Sequence, residues 1–131
     1  MTLPDISALV DMFYLGGTKN GALLGEAIVI NAPALRDHFR FHLKQRGALL
    51  AKGRLLAAQF VALLSDGLYL ELARHANAMA TRLADGLRLR GVRFASEPVA
   101  NQVFPVLPDP LVSALRELYG FHVWSPSDGS H

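Results

Sequence analysis

Apolar residues recur along this chain with a period that changes several times, and the changes mark its elements. Residues 2–14 place Ile6, Leu9, Val10 and Phe13 so as to predict a short helix or loop leading into a strand. Residues 22–30 are almost continuously apolar apart from Gly25 and Glu26, the pattern of a strand buried on both faces. Glu26 interrupts that run, and a buried carboxylate there would need a partner. Asn31 as N-cap and Pro33 in the first turn predict a helix to about Arg46, with a break at Gly47. A second helix is expected over residues 48–64, with Leu49, Leu56, Phe60, Leu63 and Leu64 at helical spacing. After the turn Ser65-Asp66-Gly67, a third is expected over residues 68–90, with Leu72, Ala76, Met79, Leu83 and Leu87 on one stripe. Gly91 is its expected stop.

The pattern then shortens. Residues 92–95 alternate, and residues 102–107 are mostly apolar around Pro105, which predicts an edge strand or bulge there. Asp109 as cap and Pro110 as first residue predict a helix burying Leu111, Val112, Leu115 and Leu118, ended by Gly120. Residues 121–124 read as a last strand. The tail 125–131 is polar, contains proline and glycine, and is expected to be disordered.

Composition adds a constraint on surface. Of 131 residues, 51% are hydrophobic and only 18% charged, so little polar surface is left to cover one ordinary domain. The surplus fits a piece that buries apolar surface against other segments or subunits. Cysteine is absent, which excludes disulfides and thiolate metal sites. No apolar stretch approaches the length of a membrane span, and no basic segment leads into an apolar one at the N-terminus. A cytoplasmic protein without membrane contact is therefore expected. The net charge of +2 gives no general case for nucleic acid. Its distribution is uneven: Arg36, Arg40, Lys44, Arg46, Lys52 and Arg54 are opposed locally only by Asp37. Arg36, Arg40 and Lys44 are spaced by four and would line one helical face, either as a solvated face or as an anion site. No aromatic residues alternate with these charges as stacking platforms for nucleic acid would require.

Candidate chemistry centres on Gly16-Gly17-Thr18-Lys19-Asn20-Gly21. A lysine held in a glycine-rich turn at the mouth of an apolar strand can be partly desolvated, leaving its amine able to attack a carbonyl. A tight turn with a solvent-facing lysine would give the same text. A phosphate-binding P-loop does not fit, because Asn20 follows the lysine and no glycine immediately precedes it. His38 and His42 have metal-ligand spacing on a predicted helix, yet no third ligand or intervening glutamate accompanies them, so no metal site is expected. Ser65, Asp66 and the histidines form no triad motif. Thr18 could hydrogen-bond a phosphate or cap the turn, and Gly16 and Gly17 would allow close backbone approach.

The text Asp-Met-Phe-Tyr-Leu-Gly-Gly-Thr-Lys-Asn-Gly-Ala-Leu-Leu-Gly-Glu-Ala-Ile-Val-Ile from Asp11, with Lys-Gln-Arg-Gly-Ala-Leu-Leu-Ala-Lys-Gly-Arg-Leu-Leu from Lys44, resembles the lysine region of the threonine aldolase and β-eliminating lyase family. The likeness continues through Asp66-Gly67, His75-Ala76-Asn77, Asn101 to Pro105 and Tyr119 to Trp124, covering nearly the whole chain. Family enzymes use pyridoxal 5′-phosphate and have fold type I. The resemblance implies an α/β fold that is an incomplete fold type I. Residues 1–47 would be the C-terminal part of the large cofactor domain, 48–91 connecting helices, 92–124 a partial α+β small domain, and 125–131 a tail. Family members carry a phosphate loop, an aromatic stacked on the cofactor ring and an aspartate for the pyridine nitrogen before the lysine. They also carry an arginine-bearing strand and a closing helix after the last strand read here. Those segments are missing, so the chain resembles a C-terminal fragment.

By the same resemblance Lys19 would form the Schiff base with the cofactor, as catalytic residue and cofactor ligand, with Thr18, Gly17 and Lys44 as further cofactor contacts. Arg54 is a weaker candidate, as anion contact or buried pairing partner. His75 reads as structural or interfacial, and Asn101 as orienting a loop. The implied parent reaction is retro-aldol cleavage of a β-hydroxy-α-amino acid, threonine to glycine and acetaldehyde, with a base for the β-hydroxyl proton outside this chain. β-Elimination shares the same cofactor chemistry. The other reading is a non-catalytic remnant that oligomerises through its helices. Expected partners are a small amino-acid substrate, copies of the same chain, and a separate N-terminal half.

Overall fold

The computed structural model describes residues 2–124, so the expectation of disorder over 125–131 lies outside the described residues. The chain divides into two compact units, one running to Arg74 and the other starting at His75.

The first unit opens with helix α1 (Leu3–Leu9). Its start is a capping box: Thr2 Oγ1 accepts from the Asp5 N–H at 3.4 Å and Asp5 Oδ2 accepts from the Thr2 N–H at 2.6 Å. Strand β1 (Met12–Gly16) then pairs antiparallel with β2 (Glu26–Ile30), in the register Met12 with Ile30 through Gly16 with Glu26. The expected strand over residues 22–30 is thus shorter. Its first residues form the loop that carries the glycine-rich turn. Phe13, Leu15, Ala27 and Val29 are half-buried, while Met12, Tyr14 and Ile28 are exposed, so the hairpin is covered on one face only. Glu26 stands exposed at the open end of β2 and requires no buried partner.

Asn31 does not cap a helix. Its amide donates to the carbonyls of Ser7 and Val10, both at 2.8 Å, and its oxygen accepts from the Ser7 hydroxyl at 2.9 Å. It spends its side chain on the end of α1, where carbonyls lack helical partners. The helix expected from Pro33 to Arg46 is broken: a single 3₁₀ turn (Pro33–Leu35) precedes α2 (Phe39–Gln45). Arg36 turns back to donate to the carbonyls of Ile30 and Asn31 at 3.1 and 3.0 Å, and His38 takes a left-handed φ of 56°. Gly47, at φ 70°, ends α2 as predicted. Helix α3 (Arg54–Ser65) starts later than the sequence suggests, after turns through Gly53. Phe60 and Leu63 on α3, with Ala22, are the buried side chains of this unit.

Helix α4 (Leu68–Arg88) crosses from the first unit into the second. It ends in a Schellman motif: Gly91, at φ 75°, donates to the Arg88 carbonyl and Val92 to that of Leu87. The buried line on α4 is Ala80 and Ala84, four apart. Of the expected stripe, Ala76 and Leu87 are half-buried, while Leu72, Met79 and Leu83 are exposed. Strands β3 (Arg93–Phe94) and β4 (Pro105–Val106) form a two-residue antiparallel pair, followed by α5 (Asp109–Leu118). Pro108 rather than Asp109 occupies the cap position of α5. Val112 and Leu115 are half-buried, whereas Leu111 and Leu118 are exposed. Residues 121–124 form no strand; Trp124 instead meets Phe104 edge-on with ring centroids 5.7 Å apart. Arg88 ties this unit together through ion pairs with Asp85 and Glu97, its guanidinium 5.3 Å from the Phe94 ring centre.

The Asp5 carboxyl is held below its usual range, first by the Thr2 backbone N–H and then by the Thr2 side chain. A depressed carboxylate stabilises the folded state above its unfolded titration range and loses that contribution as pH falls through the folded one. We expect acidification through that range to release the α1 cap. A ¹³C carboxyl titration should show Asp5 titrating below a free aspartate, with the midpoint moving upward in Thr2→Ala.

Candidate functional site

Between β1 and β2 the chain makes a turn over residues 18–21, with Lys19 at its exposed tip. The backbone beneath is closely fixed. Gly17 accepts at its carbonyl from the N–H groups of Asn20 and Ala22, at 2.9 and 3.0 Å. Gly17 is itself buried, and a Cβ there would lie 2.8 Å from both Ala22 Cβ and Phe60 Cζ. Gly21 takes φ 101°, a conformation that costs glycine little, and a Cβ there would come within 3.1 Å of Leu72 and 3.3 Å of Leu63. The buried side chains of the first unit are therefore the floor of the lysine turn.

Side chains from α3 and α4 hold the turn at its rim. Tyr69 donates its phenolic O–H to the Gly16 carbonyl at 2.9 Å, and its own backbone carbonyl accepts from Asn20 Nδ2 at 2.8 Å. Gln59 Oε1 accepts from the Leu23 N–H at 2.7 Å, while its amide donates to the Leu24 carbonyl at 3.4 Å. The sequence reading did not single out Gln59, Tyr69 or Asn20. Gln59 did leave a signal, as the lone polar residue in the apolar run 55–64.

Of the candidate residues, the structure places Gly17, Thr18 and Lys19 together on this turn. Gly17 is buried in its backbone, and Thr18 and Lys19 are exposed. Lys44 is elsewhere, exposed in the last turn of α2, and no hydrogen bond or ion pair joins it to the turn. Arg36 is spent on main-chain carbonyls, so the basic face through Arg36, Arg40 and Lys44 does not form as one helical row. Arg54 opens α3 exposed, not buried in a pair. His38 packs against Phe41 with ring centroids 6.0 Å apart, and no cluster of three or more His, Asp or Glu side chains suited to a metal forms among the described residues. Ser65 Oγ donates to the Val61 carbonyl at 2.6 Å. His75 and Asn101 are exposed. Among the described residues, no single helix is long and apolar enough to cross a membrane.

The turn therefore presents a primary amine and a hydroxyl on a backbone that is hydrogen-bonded from beneath and from both sides. An exposed primary amine can act as a nucleophile toward a carbonyl compound, and the Thr18 hydroxyl beside it can donate a hydrogen bond.

Comparison with known proteins bears out the resemblance read from the sequence. The chain is 42% identical over 108 residues to a low specificity L-threonine aldolase of Pseudomonas aeruginosa, covering 82% of this chain and 31% of that protein. It is 37% identical over 123 residues to the low specificity L-threonine aldolase of a Pseudomonas species, covering 92% of this chain and 36% of the relative. Its structure matches that of a threonine aldolase from Leishmania major with a TM-score of 0.92 and 44% identity, over 98% of this chain and 38% of the other. The chain thus spans about a third of the length of the relatives it matches. No protein-family model matches it. The mixed helix-and-strand fold is that of a threonine aldolase over the matched length, which fits the fold type I class.

The glycines of the turn make a stability test. Gly17→Ala should cost about 1–3 kcal/mol, because its methyl meets Ala22 and Phe60 in an already filled contact. Gly16→Ala, which meets nothing within 4 Å, should change stability by less than about 0.5 kcal/mol. Paired urea melts of the two variants against the parent measure the difference.

Proposed function

We propose that this chain, homologous along most of its length to threonine aldolases, supplies the lysine-bearing part of a pyridoxal-phosphate lyase that cleaves β-hydroxy-α-amino acids. One observation carries the reading: Lys19 stands exposed on a turn whose main chain is fixed by Gln59, Tyr69 and Asn20, within a stretch whose text resembles the family's lysine region. The residues fit the cofactor at its aldehyde end. Lys19 Nζ is an accessible amine at a fixed Cα, and no acidic side chain within the turn pairs with it.

In this assignment Lys19 holds the cofactor through Nζ and is the catalytic residue of the chain. Gly17, with no side chain, lets the turn lie against Phe60 while its neighbours face outward. The Thr18 hydroxyl, exposed beside Lys19, would donate to the phosphate. Lys44 is a more distant cation for the phosphate or a substrate carboxylate. When bound, pyridoxal phosphate supplies an electron sink for the pair left at Cα as the Cα–Cβ bond breaks. The residues carry over to the domain reading above: 1–47 as the end of the cofactor domain, 48–91 as connecting helices and 92–124 as part of the small domain, in a cytoplasmic homo-oligomer. Cleavage of threonine to glycine and acetaldehyde is the favoured reaction, and β-elimination the alternative with the same lysine.

A second reading, a non-catalytic protein that associates through its helices, is favoured by the exposed apolar side chains, among them Leu23, Leu55, Leu89 and Val99. One experiment separates the two. The purified chain is incubated with pyridoxal phosphate, reduced with borohydride and mapped by peptide mass spectrometry across Lys19, Lys44 and Lys52, the lysines of the chain. Preferential modification of Lys19, with the retained absorbance band lost in Lys19→Ala, supports the lyase reading. Equal modification of the three lysines, or a band unchanged in Lys19→Ala, supports the non-catalytic one.

A further inference from the structure

Every bond that fixes the Lys19 turn reaches main chain on one side of the lysine or the other, and Tyr69 reaches both. Three residues before Lys19, the Gly16 carbonyl receives the Tyr69 phenol at 2.9 Å. One residue after it, the Asn20 amide donates to the Tyr69 carbonyl at 2.8 Å. Further on, Gln59 engages the Leu23 N–H and the Leu24 carbonyl in a two-point contact of 2.7 and 3.4 Å. None of these contacts touches the lysine side chain, and none has a place in the chemistry of an amine and a carbonyl. All lie within the first unit.

We propose that Tyr69 and Gln59 are positioning residues for Lys19: they set where its Cα sits, so that its flexible side chain samples a narrow region above the turn. The proposal rests on the reading of Lys19 as the cofactor lysine and deepens it. The physical reason is the length of the lysine stem. With several rotatable bonds, a lysine loses reach and orientation quickly when its backbone moves, and displacements on the order of 1 Å at a reacting group cost about 10²-fold in rate. The turn has few other restraints. Its floor is a small core of Ala22, Phe60 and Leu63, and its tip residues Thr18 and Lys19 are open to solvent. Losing one net hydrogen bond should therefore be felt in the turn without unfolding the unit.

The two side chains also differ in what they hold. Tyr69 spans the turn itself, through Gly16 and Asn20, whereas Gln59 pins the segment leaving it toward β2. Removing the phenolic oxygen alone should loosen the start of the turn while its Asn20 contact, made to main chain, persists. Removing the Gln59 amide should free Leu23 and Leu24 together.

The test uses the same trapping experiment on the parent chain, Tyr69→Phe and Gln59→Met, with amide hydrogen exchange on each by NMR. Tyr69→Phe deletes one oxygen and keeps the ring, which guards against a variant that simply fails to fold. The expected result is a fall in borohydride trapping at Lys19 by a factor of about 2–10, the equivalent of one net hydrogen bond. Trapping at Lys44 and Lys52 should be unchanged in the same molecules. The Leu23 amide should exchange faster in Gln59→Met, and those of Asn20 and Ala22 faster in Tyr69→Phe. A parent chain that traps no more at Lys19 than at Lys44 or Lys52 overturns the cofactor reading, and the positioning role with it. A parent preference for Lys19 that survives undiminished in both variants overturns the positioning role alone.

Discussion

The close approach of a glycine backbone to the Phe60 ring is the contact on which the first unit depends. Gly17 lies where a Cβ would be 2.8 Å from Phe60 Cζ, and Gly25, at φ 93°, packs its backbone over Phe60 and Leu56. Both ends of the loop between β1 and β2 are thereby seated on α3. The hairpin register follows, because Gly16 and Glu26, the residues that flank this loop, are its last cross-strand pair. A larger residue at Gly17 would have to lift the loop, and with it the lysine, away from the helix. The same contact that forms the core thus fixes the lysine turn, so stability and the function proposed for that turn are coupled through one packing interface.

That coupling is sharpened by how little else is buried. Across the described residues the buried hydrophobic side chains are Ala22, Phe60, Leu63, Ala80 and Ala84, while Leu23, Leu89 and Val99 are almost fully exposed. Burial of apolar area is the main favourable term in folding, at about 25 cal/mol per Å². A unit with a core this small has little to lose before it opens locally. Main-chain hydrogen bonds from Gln59, Tyr69 and Asn31 then matter more than they would over a thick core, since they supply restraint where packing is thin. The relatives matched here are about three times as long.

Helix ends and the lysine turn were legible in the sequence because they depend on local chemistry. Gly47, Gly67 and Gly91 each adopt the left-handed backbone that their positions after helical text imply, and Leu68–Arg88 forms as one long helix close to its predicted bounds. The departures share a different origin. Asn31 has the composition of an N-cap, yet the carbonyls at the end of α1 claim its amide. Arg36 has the spacing of a helical basic face, yet it folds back on the end of β2. On α4, Ala80 and Ala84 are buried ahead of Met79 and Leu83. For Asn31 the partners lie 21 and 24 residues earlier, and for Arg36 they lie just outside the helix its spacing implied. Gln59 belongs with them: its role is set by a loop 36 residues earlier.

The way the lysine is held has a chemical consequence of its own. A lysine can be placed by burying its side chain among packed neighbours, which fixes the amine but restricts what reaches it. Here the restraint is confined to the backbone: carbonyls and N–H groups at Gly16, Gly17, Leu23 and Leu24 carry the bonds, and Lys19 remains exposed. Because these are main-chain contacts, they do not depend on which side chains occupy Thr18 or Lys19. Precision in the position of Cα is therefore separated from access to Nζ. In the role proposed for Lys19, taking up a carbonyl compound and later giving it up would need that separation, since a side chain locked by packing would resist both events. The geometry of the turn answers the requirement by anchoring everything around the lysine and nothing of the lysine itself.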